Sequence, residues 1–219
     1  FGLLPFEGPT FLHLGVWPGA LKSATQPSNK LRLVDDTGSM FKAPTLTFDP
    51  VELGEDAFGW NFPLGLLIPA LFSRARELGV ELTGSDAASA SVSSDHISVT
   101  TSRGERVTAR VAIAADGRNS VLRGAAGIKT NTWSYDQTAL ATSFDHTGPH
   151  DGISTEYHKV AGPFTTVPMP GNRSSLVWME RPARAAQLMA LPDAELATEI
   201  QIGTHGELGL VSNIGPRKL

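Results

Sequence analysis

The sequence predicts an α+β fold, and three observations carry that reading. Leu64, Leu67, Ile68, Leu71, Phe72, Ala75 and Leu78 recur at helical spacing and stop at Gly79, the clearest helix in the chain. Residues 80–115 and 138–180 break instead into short runs rich in β-branched and aromatic side chains, separated by Gly, Pro and Asn turns. The period then changes again, with Pro182 and Pro192 each opening a helix, over 182–190 and 192–201.

In chain order, Gly8 to Trp17 forms a short helical piece with Gly15 as its stop. His13 on this piece reads as a surface or packed residue, because no metal-ligand partners stand near it. Leu31 to Val34 is a strand, and a polar turn at Asp35 to Gly38 leads into a second strand around Ser39 to Phe41, a hairpin. Asp49 to Pro63 is loop-like; its aromatics Phe58, Trp60 and Phe62 either line an apolar cavity or form core beneath the loop. Pro69 lacks an amide hydrogen, so the helix that follows either begins near it or bends there. Ile97 to Thr100, a turn at Ser102 to Glu105 and a strand from Val107 make the next hairpin. Four more strands are expected at Thr138–Phe144, Ile153–Val160, Phe164–Met169 and Ser174–Glu180. Asp193 and Glu195 suit the positive N-terminal end of the last helix.

Composition narrows the function classes. The 219 residues are 41% apolar and 18% charged, which is globular, and the net charge of -4 comes with no basic cluster for a nucleic acid. With no cysteine, disulfides, thiolate metal sites and cysteine nucleophiles are excluded, and a reducing cytoplasm is compatible. Residues 57–73 carry no charge, yet Asn61, Pro63, Gly65 and Pro69 break them, and the run is too short for a membrane span. No signal peptide is visible, and a chain opening at Phe1 is expected to have lost its true start.

The stretch that carries chemistry runs from Val107 to Arg123. Val107, Ala109, Val111 and Ile113 share one face of a strand that ends at Ala114-Ala115 and delivers Asp116-Gly117. A carboxylate at a strand end accepts hydrogen bonds from hydroxyls, and Gly117 offers no Cβ to hold a ligand away. An Asp-Gly after a strand is also an ordinary turn, so the residues alone leave both readings open.

The whole string resembles the Asp-Gly motif of the single-component flavoprotein aromatic hydroxylases. Asp116, Gly117, Ser120 and Arg123 each match it, and the resemblance implies that they form part of the site for the ribityl or ribose portion of FAD. Flanking strings are similar to one branch, the FAD-dependent hydroxylases of ubiquinone biosynthesis. They are Leu14-Gly15-Val16-Trp17, Val34-Asp35-Asp36, Gly127-Ile128, Tyr135-Asp136-Gln137, His146 to His150, Glu156-Tyr157, Gly162-Pro163-Phe164 with Pro168, and Ser175-Leu176-Val177-Trp178. Two departures accompany the matches: the N-terminal Gly-x-Gly-x-x-Gly of that family and its later Gly-Asp motif do not occur. The expectation is an internal fragment of a longer flavoenzyme.

The resemblance implies a p-hydroxybenzoate-hydroxylase-like fold. Residues 1–24 and 61–128 would be a partial FAD-binding domain, and 25–60 and 129–219 a mainly antiparallel substrate-binding domain. It implies FAD and NAD(P)H as cofactors and a polyprenylated phenol as substrate. Alternation puts Thr166 and Pro168 on one side of a strand, and with Trp178 on the next strand and Trp60 of the loop they are the candidates to face the ring, or else they form core. Hydroxylation by a flavin explains why no nucleophile triad or metal cluster stands out, and no catalytic residue is named. Gly148 and Pro149 place His146 and His150 on a loop, with no carboxylate or cysteine set to complete a metal site. A cytoplasmic protein is implied, peripheral to a membrane or bound in a ubiquinone-biosynthesis complex, and on the matrix side of mitochondria in a eukaryote. The alternatives are a flavin-free accessory module that binds an isoprenoid phenol, and a related flavoprotein such as an isoprenoid reductase or halogenase.

Overall fold

The computed structural model describes residues 2–3, 8–17 and 19–219. The chain separates into two compact units, Phe1–Leu78 with Tyr135–Leu219, and Gly79–Ser134. The first unit opens with β1 (Gly2–Leu3), α1 (Gly8–His13), α2 (Gly19–Lys22), β2 (Gln26–Pro27), β3 (Lys30–Asp36), β4 (Leu46–Phe48), β5 (Trp60–Asn61) and α3 (Leu64–Glu77). The second holds β6 (Ala87–Val92), β7 (Ile97–Thr101), β8 (Arg106–Ala109) and α4 (Val121–Ala125). The first then resumes with β9 (Thr138–His146), β10 (Ile153–Lys159), β11 (Gly162–Met169), β12 (Arg173–Glu180), α5 (Pro182–Ala190), α6 (Asp193–Gly203) and β13 (Val211–Ser212).

A seven-stranded sheet, ordered β13-β9-β12-β11-β10-β3-β4, dominates the first unit. All its pairings are antiparallel except β3 with β10, where Lys30 to Asp36 run beside Ile153 to Lys159. Strand alternation gives the sheet two unlike faces. Leu140, Phe144, Tyr157, Phe164, Leu176 and Trp178 are buried on one, packed with Leu188 of α5 and Leu196 and Ile200 of α6. Gly203 ends α6 against the Phe164 ring, and a Cβ there would lie 2.7 Å from its Cε2. The absent side chain sets how closely helix and sheet approach.

A small sheet, β1-β5-β2, and α3 build a second cluster of Val16, Leu21, Phe62 and Leu67, with Trp17 and Trp60 partly buried against it. Helix α3 begins at Leu64 and continues through Pro69. Pro69 and Gly65 are both exposed, so the carbonyl that loses its donor is open to water. Only Leu67 of this helix is buried, while Leu64, Leu66, Ile68 and Phe72 remain exposed.

Two strand expectations change. Residues 37–45 form a long loop and the partner of β3 comes later, at Leu46–Phe48, because the Asp35 side chain binds both sides of the loop in place of a tight turn. In the second unit β8 ends at Ala109, and residues 110–115 have extended-type alternation with no ladder partner among the described residues. Val111 and Ile113 are left exposed, Ile113 at 88%. Alternation announced a strand there, but a strand needs a neighbour for its backbone groups. Among the described residues no helix is long and apolar enough to cross a membrane.

Candidate functional site

The Asp-Gly stretch is an acidic turn that starts a short helix. Asp116 Oδ2 accepts from the amides of Val121 (2.9 Å) and Leu122 (3.4 Å), and Ser120 caps α4 by accepting from the Arg123 amide at 3.0 Å. The Arg123 guanidinium folds back to donate to the Arg118 carbonyl. Gly117 has φ +82°, and nothing lies within 4 Å of where a Cβ would stand. The Ser120 hydroxyl first, then the surrounding amides, hold the Asp116 carboxyl below the ordinary carboxylate range. All four expected cofactor residues thus meet in one turn, where the Asp116 carboxylate is ionised at neutral pH beside the cationic Arg118 and Arg123, and Ser120 is buried.

The aromatic-ring candidates lie elsewhere, in the first unit. Thr166, Pro168 and Trp178 share the helix-covered face of the large sheet, where Phe164 meets Trp178 edge-on at 5.0 Å between ring centroids. The Trp178 indole Nε1 is buried there without a hydrogen-bond partner among the described residues. Trp60 points into the cluster of the small sheet, 5.7 Å from Trp17. Its neighbour Asn61 points the other way and donates from Nδ2 to Pro168 O (3.1 Å) and Ser28 Oγ (3.1 Å).

The opposite face of the same sheet is open. A cavity of about 330 Å³ lies over it, walled by Phe62, Leu64, Met169 and Val177, with Ser143, Ser175, Asn61 and Lys218 among its polar lining. Val177 is 42% exposed although it sits mid-strand between β11 and β9. The strand residues of this face were missed from sequence, yet a signal existed. Two amphipathic helices follow β12 and must cover an apolar face, and Phe164, Leu176 and Trp178 make the even-numbered face the more apolar one. The odd-numbered residues were therefore those left uncovered by the helices.

A smaller polar cavity, about 230 Å³, borders the helix-covered face, and Thr166 lines it. Arg32 pairs with Glu207, Tyr157 donates its hydroxyl to Glu207 Oε2 (3.1 Å), and Arg32 Nε donates to Thr155 Oγ1 (3.2 Å). Burial, reinforced by Glu207, pushes the Tyr157 phenol above its ordinary range. His146 ends β9 and is buried, its Nδ1 bonded to Gly148 O at 2.8 Å and its Nε2 to Ser174 Oγ at 3.0 Å. Desolvation lowers its pKa from the usual 6.5. His150, in the following loop, accepts the Gly152 amide on Nδ1 and donates from Nε2 toward Met169 O and Gly171 O. Both rings are consumed by backbone and hydroxyl partners. No group of three metal-ligating side chains occurs among the described residues.

Comparison with known proteins gives a consistent outcome. No protein-family model matches the chain. It is 35% identical over 206 residues to ubiquinone hydroxylase UbiL of Rhodospirillum rubrum, an alignment covering 93% of this chain and 47% of the relative. The chain thus spans about half the length of that protein. PqsL of P. aeruginosa, solved with 2-aminobenzoylacetate, superimposes with a TM-score of 0.72 at 18% identity, covering 91% of this chain and 55% of that one. The flavin-dependent monooxygenase PieE, solved with FAD and substrate, gives a TM-score of 0.66 at 16% identity, covering 98% and 42%. By sequence this chain is similar to a ubiquinone hydroxylase, and its fold is shared with solved flavin-dependent monooxygenases.

Proposed function

We propose that the chain is the central part of an FAD- and NAD(P)H-dependent monooxygenase that hydroxylates a polyprenylated phenol in ubiquinone biosynthesis. The observation that carries this reading is the mainly apolar cavity over the open face of the large sheet, in a chain that aligns over 93% of its length with a ubiquinone hydroxylase. A flat aromatic ring suits a cavity walled by Phe62, Leu64, Met169 and Val177, and the same walls keep water from the reacting ring. Asn61 is fixed at the margin by its bonds to Pro168 O and Ser28, so it can orient a ring substituent. Trp60 anchors β5 from behind, while Thr166, Pro168 and Trp178 support the sheet from its covered side.

The Asp116 turn fits the hydroxyl-rich part of FAD. Its carboxylate is ionised and solvent-facing, and Gly117 leaves open space beside it. Asp116 would accept from hydroxyls, Gly117 would let the flavin chain approach the backbone, and Ser120 and Arg123 would hold the turn in shape. Bound FAD would supply the electron transfer from NAD(P)H and the oxygen activation that hydroxylation requires. In this reading residues 1–24 and 61–128 serve the cofactor, apart from Asn61, Phe62 and Leu64, which border the substrate cavity, and 25–60 and 129–219 serve the substrate. A prenyl tail dissolves in a bilayer, so the protein works at the membrane periphery, on the cytoplasmic side or, in a eukaryote, the matrix side.

In the full-length protein, Asp116→Ala removes one charge-assisted acceptor and is expected to weaken FAD retention about ten- to a hundredfold, with the fold intact. Flavin content after gel filtration and circular dichroism check this. Unchanged flavin and unchanged turnover would mean that the turn only starts α4.

A further inference from the structure

Among the described residues the cavity over the open face is lined by one charged side chain, Lys218, and by no carboxylate. The ladder explains how that ammonium arrives there. Beyond β13 the chain keeps to the edge of β9: the Gly215 amide donates to Ser143 O (2.7 Å), and Lys218 exchanges both backbone hydrogen bonds with Ala141 (2.9 Å each). Directly opposed residues of an antiparallel pair share a face. Ala141 lies opposite Val177 in turn, so Lys218, Ala141 and Val177 make one row across the open face, roughly 10 Å from end to end.

The neighbouring cations are engaged elsewhere. Arg217 projects to the other side, donates to Met189 O (3.1 Å) and Leu191 O, and pairs with Asp193. Arg173 pairs with Asp145 and donates to Ser143 Oγ (2.8 Å). The Lys218 ammonium has no such partner among the described residues. A cation over a mainly apolar cavity, with no acid to answer it, suits an anionic group on the ligand.

Magnitudes decide which anion. A phenol with a pKa of about 10 is neutral at pH 7, and ionising it there takes a shift of about a thousandfold. Lys218 is exposed, and an exposed ion pair is worth about fivefold at most. A carboxylate is ionised already.

We infer that Lys218 pairs with a carboxylate on the aromatic ring, so that the cavity selects the carboxylated form of the phenol. This deepens the proposed function and rests on its placing of the ring over the open face.

The test is calorimetric titration of the full-length protein with two probes, an ortho-prenylated phenol and the same ring carrying a carboxylate para to the hydroxyl. Wild type is expected to bind the acid about fivefold more tightly at neutral pH, an advantage that shrinks as salt is raised. Lys218→Met should bring the two probes level, and Lys218→Arg should keep the preference. Both variants should melt like the parent, because the ladder uses only the backbone of residue 218. Equal binding of the two probes by wild type, binding of neither, or a preference unchanged in Lys218→Met would overturn the inference. So would an absorbance shift showing the carboxyl-free probe bound as its phenolate at neutral pH, which would give the ammonium to the ring hydroxyl instead. The titration needs no NAD(P)H and no turnover. Hydroxylation of a ring bound without acid preference therefore counts against Lys218 alone, whereas acid-selective binding without hydroxylation supports Lys218 and counts against the monooxygenase reading.

Discussion

The two faces of the seven-stranded sheet are made by the same strands in the same ladders, yet they do different work. The even-numbered face of β11 and β12 is sealed by α5 and α6 around Phe164, Leu176 and Trp178, with Tyr157 of β10 beside them. The odd-numbered face carries Val177 and Met169 toward an open cavity. The packed core is concentrated on one side and the open cavity on the other, with an alternation of one residue separating them. The same contrast distinguishes the two cavities, since the apolar one lies on the open face and the polar one on the sealed face has its groups already paired.

Substitutions can sharpen or break this contrast. The largest effect is expected from Phe164→Ala, which empties a wholly buried site between sheet and helix and should cost about 3–5 kcal/mol, measured by urea denaturation. A cost under about 1 kcal/mol would mean that the covered face does not hold the unit together.

A smaller effect comes from His146, a titratable group on the sealed face. Its folded pKa lies below 6.5 because burial disfavours the cation, so the unfolded chain binds more protons as pH falls past that value. The stability it contributes is complete above about pH 6.5 and is lost as pH drops through 6.5 toward the lowered value. Asp36 and Asp145 are shifted down from 3.8, so their contributions fail only in more acid solution. Thermal melts between pH 7.5 and 5.5 should fall for wild type and stay flatter for His146→Gln; parallel curves would exclude His146 as the source. The smallest stability change is expected from Val177→Ala on the open face, within about 1 kcal/mol, accompanied in the full-length protein by a raised KM for the proposed phenol. A large loss of stability with unchanged KM would make Val177 core and merge the two faces.

How much was legible in the sequence differs between these regions for physical reasons. The four strands from Thr138 to Glu180 and the helix Pro182–Ala190 stand as the period and the prolines foretold; β10, β11 and β12 pair in sequence order, and β9 closes on β12. Residues 110–115 had the same quality of alternation and formed no ladder, since pattern fixes which side chains share a face but does not supply a neighbouring strand. The Asp116 turn was readable as a turn from Asp-Gly and as a cap from Ser120, both local features. The cavity was not readable from Thr166, Pro168 and Trp178 because choosing a face required knowing where α5 and α6 would settle, a long-range fact.

The parallel pairing of β3 with β10 has a bearing on how the chain is made. Lys30 lies beside Ile153 and Asp36 beside Lys159, so this strand finds its inner neighbour only after more than a hundred further residues have left the ribosome. The antiparallel ribbon from β10 through β12 can close early through short turns, whereas β3 must wait to be captured. During synthesis that strand, paired with β4 alone, leaves one edge of unsatisfied backbone groups open until β10 emerges.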